Sequence, residues 1–381
     1  METNMGMPLI TIDTFIEIIK RQLNEGNLRP VMGLGKGGIG KSESMEELAR
    51  SLGIGYTDIR LLLYSETDLK GIPYPDEKHE KTIWLQNKIL PDGKPVSDSD
   101  RDLTRGILVL DEITSCAKSV RTAAYQLLNE RRLGEYVLPD GWLVVCLGNG
   151  EEDGGDFEGM EGNFANRGSM YRIEVDVESW KNWAISHGVN PLVVGYINFK
   201  SSDLHTYDPD SDDNYVFASP RSWKAVSDIL NSPGCDITDA ITRLRIAGNI
   251  GNIVASSFYA FCNYKKQTVS VKEILDNKRM FKPENTEIAN ITISSVVNVV
   301  TSELNREVEA HVEAYSDTVI THVINALDWF ASLKAEWAIM AIKDLKRANI
   351  SAVSQLLLNK DIQNSAPNFK VFFQKNAAVF K

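Results

Sequence analysis

Two kinds of apolar pattern divide this chain. In the first half, unbroken apolar runs of strand length recur. Arg29-Pro-Val-Met-Gly-Leu-Gly35 is a short apolar run that breaks into glycines, Gly106-Ile-Leu-Val-Leu110 and Gly141-Trp-Leu-Val-Val-Cys-Leu147 are continuous, and a further strand is expected near Tyr56 to Leu63. Helical stretches, Lys41 to Leu52 and Ala117 to Arg132, fall between them. A strand buried on both faces loses polar alternation, so such runs separated by helices predict a parallel sheet covered by helices. A leading helix is predicted over Ile10 to Leu23, where Ile10, Phe15, Ile18, Ile19 and Leu23 recur near helical spacing and Asp13-Thr14 offers a capping start. Ile173-Glu-Val-Asp-Val177 reads as the last strand.

Beyond that point the pattern becomes helical. Trp180 to His187, Arg221 to Leu230 and Ile237 to Phe261 carry apolar residues at threes and fours. Ile293, Val297, Val300, Leu304 and Val308 form one later stripe and Val319, Val323, Leu327 and Phe330 another, predicting a terminal helical hairpin extended by Trp337 to Leu345. Lys278 to Thr292, polar and holding Pro283, reads as a linker. Gly71, Pro73, Pro75, Pro91, Gly93 and Pro95 forbid a single regular element and mark an insertion. The division expected is an α/β core over residues 1–177 with the insertion near 68–98, a helical domain over 178–277 and a helical region over 278–381.

Composition narrows the class. The 381 residues are 43% hydrophobic and 24% charged, which suits a folded globular protein and excludes disordered and fibrous chains. A net charge of −11 repels a phosphate backbone, so a dedicated nucleic-acid binder is disfavoured. Cys116, Cys146, Cys235 and Cys262 are far apart and form no Cys-x-x-Cys pair; they read as buried apolar residues rather than zinc ligands or a disulfide frame. Met1 to Ile10 holds no basic stretch followed by an apolar run, and no segment reaches the ~18 unbroken apolar residues of a membrane span. A cytoplasmic protein is expected.

The chemistry enters with Gly35-Lys-Gly-Gly-Ile-Gly40-Lys41-Ser42, which satisfies G-x-x-x-x-G-K-[ST] between a predicted strand and a predicted helix. Gly35, Gly37, Gly38, Ile39 and Gly40 supply backbone that can turn consecutive N–H groups toward phosphate oxygens, and the helix start adds its positive dipole end. Lys41 would reach the β- and γ-phosphates of ATP, and Ser42 would ligate Mg²⁺. In Ile107-Leu-Val-Leu-Asp111-Glu112 an apolar strand ends in two acids. Beside a phosphate loop, Asp111 would hold the Mg²⁺ shell and Glu112 would orient and deprotonate water; taken alone, the pair could equally be a solvated strand end. Cys146-Leu-Gly-Asn149 runs out at a polar residue. If its strand lies between the other two, Asn149 can bond the attacking water; otherwise Asn-Gly is an ordinary turn.

These motifs, with two later arginines, resemble an AAA+ ATPase, and the finer pattern resembles the MoxR clade. Asp68-Leu-Lys-Gly-Ile-Pro73 is similar to the family's entry into its helix-2 insertion, Leu127-Leu-Asn-Glu-Arg131-Arg-Leu to its stretch before the sensor strand, and Ser219-Pro-Arg221-Ser222 to its sensor-2 helix. The resemblance covers roughly residues 28 to 230. It implies a P-loop NTPase sheet sandwiched by helices, an all-α lid with Arg221 sensing the γ-phosphate, and a C-terminal helical extension. It also implies an arginine that completes a neighbouring subunit's site. Arg167 in Phe164-Ala-Asn-Arg167-Gly168 takes that place, with Asn166 and Gly168 where the family writes Asp and Phe; Arg131 and Arg132 are rivals.

By this resemblance the chain is expected to be a Mg²⁺-dependent ATPase working as a homo-oligomeric, hexameric ring that remodels a protein partner in a chaperone-like role, commonly a von Willebrand factor A domain protein. Two alternatives stand beside it: a nucleic-acid-associated motor or McrB-like NTPase, and a nucleotide-stabilised ring with little hydrolysis. Other features invite chemistry less. Asp208-Pro-Asp210-Ser-Asp212-Asp213 alternates acids like a calcium loop but lacks glycine at its sixth position, and Ser219 replaces the bidentate Glu, so it reads as a solvated loop. Glu151 to Gly162 reads as a flexible acidic loop, and Trp84 either touches a substrate or packs locally.

Overall fold

The computed structural model describes residues 6–78, 80–85, 88–94, 101–150, 167–209, 215–276, 280–310, 315–348 and 350–380. It divides into two compact units, Met1–Asp176 and Val177–Lys381.

In chain order the first unit contains β1 (Leu9–Ile10), α1 (Ile12–Glu25), β2 (Val31–Gly35), α2 (Lys41–Ser51), β3 (Ile54–Arg60), α3 (Glu66–Lys70), β4 (Ile72–Pro75), β5 (Thr82–Leu85), β6 (Asp102–Asp111), α4 (Lys118–Glu130), β7 (Arg132–Leu133), β8 (Tyr136–Val137), β9 (Trp142–Gly148) and β10 (Ser169–Ile173). Six strands form a parallel sheet in the order β1-β10-β2-β9-β6-β3. Its continuous apolar runs serve two cores at once. Val31, Ile107, Val109, Leu143, Val145 and Leu147 face Phe15, Ile19, Met45 and Leu48 of α1 and α2. The alternating residues Met32, Leu34, Leu108, Leu110, Val144 and Cys146 face Leu69, Val120, Ala124, Leu127 and Leu128 of α3 and α4.

Several boundaries differ from the sequence reading, each for a local reason. The helix α1 is capped by Thr11, whose side chain accepts from the Thr14 N–H, and Leu9 and Ile10 instead pair with β10. The last strand lies four residues earlier than Ile173 to Val177. Its register against β2 runs from Ser169↔Val31 to Ile173↔Gly35, and Val177 already opens a helix. Four of its five residues are only half-buried, so it carries no apolar run to betray it. Of the cysteines, Cys116, Cys146 and Cys262 are buried, while Cys235 is only partly so.

Within the insertion, β4 and β5 pair as an antiparallel hairpin. Its exposed apolar side chains are Ile72, Tyr74, Ile83 and Leu85, whereas Trp84 is half-buried. The rest of the insertion at 95–98, the acidic loop of 151–162, Phe164 to Asn166, and Asp210 to Asp213 lie outside the described residues.

The second unit is helical: α5 (Val177–Ser186), α6 (Pro191–Phe199), α7 (Pro220–Asn231), α8 (Ala240–Ile250), α9 (Asn252–Asn263), α10 (Val271–Leu275), α11 (Thr286–Glu309), α12 (Asp317–Ala331), α13 (Ala335–Ala348), α14 (Ile350–Leu358), α15 (Lys360–Ser365) and α16 (Pro367–Phe380). Residues 286–292, read as linker, are the opening turns of α11. Asn285 caps it by accepting from the Ile288 N–H at 2.9 Å, and Ile288, Ala289 and Ile291 are buried together with the small polar Asn290 and Thr292. Those buried polar residues masked the apolar stripe. The stripe itself is buried at Ile293, Val297, Val300 and Leu304, whereas Val308 is exposed. Among the described residues no helix is long and apolar enough to cross a membrane.

Candidate active site

The chemistry of the first unit gathers at the carboxyl ends of β2, β9 and β6, neighbours in the sheet in that order. At the end of β2 the chain turns through Gly38 (φ +76°) and Gly40 (φ +91°), left-handed conformations that a side chain would strain. Gly35 is fixed by space instead: an added Cβ would lie 2.3 Å from the Ile173 carbonyl oxygen. At Gly37 an added Cβ would meet nothing within 4 Å, so the centre of the loop faces open space. The helix α2 starts directly at Lys41, and its N-cap, Gly40, has no side chain to bond the first-turn N–H groups. Ile39 stands half-buried in the loop, packed against the α1–α2 core. Lys41 folds back over the turn, its Nζ donating to the carbonyls of Gly35 at 2.7 Å and Lys36 at 2.9 Å, with 8% of the residue exposed. This is the P-loop NTPase fold.

Ser42 Oγ donates to Asp111 Oδ2 at 2.6 Å, joining the first turn of α2 to the end of β6. Asp111 is buried, and its other oxygen accepts from the Glu112 N–H at 2.9 Å. Asp58, on β3 beside β6, has an exposed side chain, yet its carboxyl is pushed up to about 6, first by partial desolvation and then by the charge of Asp111. Tyr56 donates from its hydroxyl to the Ser42 carbonyl at 3.2 Å, and burial raises its phenol pKa. A hydroxyl and a buried carboxylate, next to an open glycine loop with a lysine over it, fit a Mg²⁺ ion with a polyphosphate.

Glu112 adopts φ +58°, a left-handed conformation that costs a residue of its kind roughly 1–3 kcal/mol. A tight turn holds it there: its carbonyl accepts from the N–H groups of Ser115 at 3.0 Å and Cys116 at 3.1 Å, and Ser115 Oγ reaches its Oε2 at 3.2 Å. Asn149 follows β9 directly, and its N–H donates to Thr114 Oγ1 at 3.0 Å. The condition set on Asn149 is met, since β9 lies between β2 and β6. Thr114, wholly buried, escaped the sequence reading; its one signal was a hydroxyl two residues past an acid pair.

The arginines are placed differently. Arg131 ends α4 at φ +53° and turns inward, donating to the carbonyls of Pro139 and Trp142, each at 2.9 Å, and burial lowers its pKa. Arg132 is exposed on β7. Arg167 is exposed in the turn leading into β10. In the second unit Arg221 is exposed on the first turn of α7, behind Pro220 and a Ser219–Ser222 capping box.

No protein-family model and no curated protein matches this sequence. Among solved structures, a candidate ATPase from Cytophaga hutchinsonii is 14% identical, covering 87% of this chain and 80% of its own, with a TM-score of 0.33. Two single-residue variants of Thermotoga maritima RuvB are 13% and 12% identical, each covering 81% of this chain and 86% of its own, with TM-scores of 0.34 and 0.33. Likeness at this level carries no activity and no partner across.

Proposed function

We propose that this chain is a Mg²⁺-dependent ATPase of the AAA+ type, working as a ring and resembling the MoxR chaperones. The observation that carries the proposal is the 2.6 Å bond from Ser42 to Asp111, because it joins the phosphate loop to the acid pair in one pocket at the end of the sheet. Backbone N–H groups from Gly37 to Lys41 and the start of α2 bind the phosphates, and Lys41 adds its charge between them. Ser42 and Asp111 would hold Mg²⁺, which would supply charge neutralisation for the phosphates.

Glu112 then takes the proton from the attacking water while Asn149 orients that water with its side-chain amide. Arg221 senses the γ-phosphate from the lid, and Arg167 offers its guanidinium to the neighbouring subunit's phosphates. An inward-turned Arg131 favours Arg167 in that role. A net charge of −11 and exposed apolar residues on the insertion hairpin support a protein substrate over a nucleic acid.

Phosphate release from ATP tests this reading. The wild type should release phosphate only with Mg²⁺ present, and Glu112→Gln should bind ATP normally while hydrolysing at least ~100-fold more slowly. Wild-type turnover by Glu112→Gln would remove the base assignment, and turnover in EDTA would remove the metal.

A further inference from the structure

The ends of β6 and β9 are joined by more than sheet pairing. The Ile113 N–H donates to the Leu147 carbonyl at 3.0 Å, and the Asn149 N–H donates to Thr114 Oγ1 at 3.0 Å, so two adjacent residues beyond the acid pair each take hold of the neighbouring strand's end. The second contact is fitted closely. A Cβ at Gly148 would stand 2.7 Å from Thr114 Oγ1 and 3.0 Å from its Cγ2, so only glycine lets the threonine approach. Thr114 is 0% exposed and lies inside the turn, closed by the Ser115 and Cys116 N–H groups, that holds Glu112 in its left-handed conformation.

We propose that Thr114 is a positioning residue that fixes Asn149 relative to Glu112, so that the water-orienting amide and the base act on the same water. This rests on the active-site reading given above. The turn itself is closed by the backbone of Ser115 and Cys116. What Thr114 adds is a hydroxyl that accepts from the Asn149 N–H, with its γ-methyl also close against Gly148. Losing the acceptor would free the end of β9 to shift by a fraction of an ångström, and misplacements of about 1 Å in such a site can cost on the order of 10²-fold in rate.

Thr114→Val keeps the shape and removes the acceptor. It should lower kcat for ATP hydrolysis about 10- to 100-fold and leave the Kd for ATP within about twofold, since the bond lies outside the phosphate loop. Thr114→Ser, which keeps the acceptor, should recover most of the rate. Thr114→Ala, with no branched side chain to accommodate, should show the same kcat loss should the valine fold poorly. In a Glu112→Gln background Thr114→Val should add little, because the two act on one step.

Wild-type enzyme and Glu112→Gln run alongside as references. If those two differ as expected and both Thr114→Val and Thr114→Ala turn over at the wild-type rate, the positioning role is overturned and the active-site reading stands. It is likewise overturned if Thr114→Ser loses as much as Thr114→Val, or if ATP affinity falls in parallel with kcat. If the wild type and Glu112→Gln hydrolyse alike, both proposals fall together.

Discussion

Each of the two units buries a lysine, and the two are held in opposite ways. Lys41 donates to neutral carbonyl oxygens of its own loop, at 2.7 and 2.9 Å. Lys181, on α5, faces the carboxylate of Asp344 on α13 at 2.9 Å, with side-chain exposures of 4% and 2%, and Glu178 lies 3.7 Å from it. Arg347 bonds both Asp344 and Glu178, and Asn198 of α6 donates to the other oxygen of Asp344 at 3.4 Å. Burial raises the Asp344 pKa even against the pull of Lys181. The helical cluster is a closed ionic network in which each charge meets its opposite. Around Lys41 two backbone carbonyls orient the ammonium at a glycine loop where a helix starts. The first arrangement fastens helices; the second suits a ligand that brings its own negative charge.

If that distinction is right, charge removal in the two units should produce different kinds of loss. The largest effect is expected at Arg167, the arginine proposed to complete a neighbour's site. Arg167→Ala should bind ATP nearly normally and lose ~10³-fold in hydrolysis, the scale of an arginine finger. Mixed with Lys41→Ala under conditions of subunit exchange, it should regain activity where an intact pocket meets an intact Arg167. A titration that stays flat at the mutants' background would remove Arg167 from the role and bring Arg132 forward.

In the helical unit the loss should be one of stability. Asp344→Ala leaves the buried Lys181 and the half-buried Arg347 without their shared carboxylate, and should lower stability by about 3–5 kcal/mol. Denaturant unfolding checks this. Pairing Asp344→Leu with Lys181→Met should recover part of the loss, because a buried ion pair replaced by apolar side chains is often near neutral. Equal loss in the single and double variants would show that the network is not closed in this way.

The same contrast explains what could be read from the sequence. The phosphate loop, the acid pair and the strand-end Asn149 were legible because each is a local pattern at the end of an apolar run, and the parallel sheet needed both faces buried. The strand Ser169–Ile173 was misplaced because it is half-buried near the sheet edge and lacks such a run. The opening of α11 read as linker because Asn290 and Thr292 are polar, although both are buried. The contacts of Thr114 and of the Lys181–Asp344 network could not be read from the sequence. The first depends on a 35-residue jump to Asn149, and the second links helices more than 160 residues apart, so neither contact falls within any short window.

One thermal-unfolding comparison tests the difference between the two lysines: wild type, Lys41→Met and Lys181→Met, each with and without saturating Mg²⁺ and ATP. Ligand at ~100 times its Kd stabilises the folded state by about 2.7 kcal/mol, enough to raise the midpoint measurably. Lys41→Met should unfold near the wild-type temperature without nucleotide and show little or no rise with it. Lys181→Met should unfold at a lower temperature and keep the nucleotide-dependent rise. A full rise in Lys41→Met, or its loss in Lys181→Met, would contradict the assignment of the nucleotide to the glycine loop.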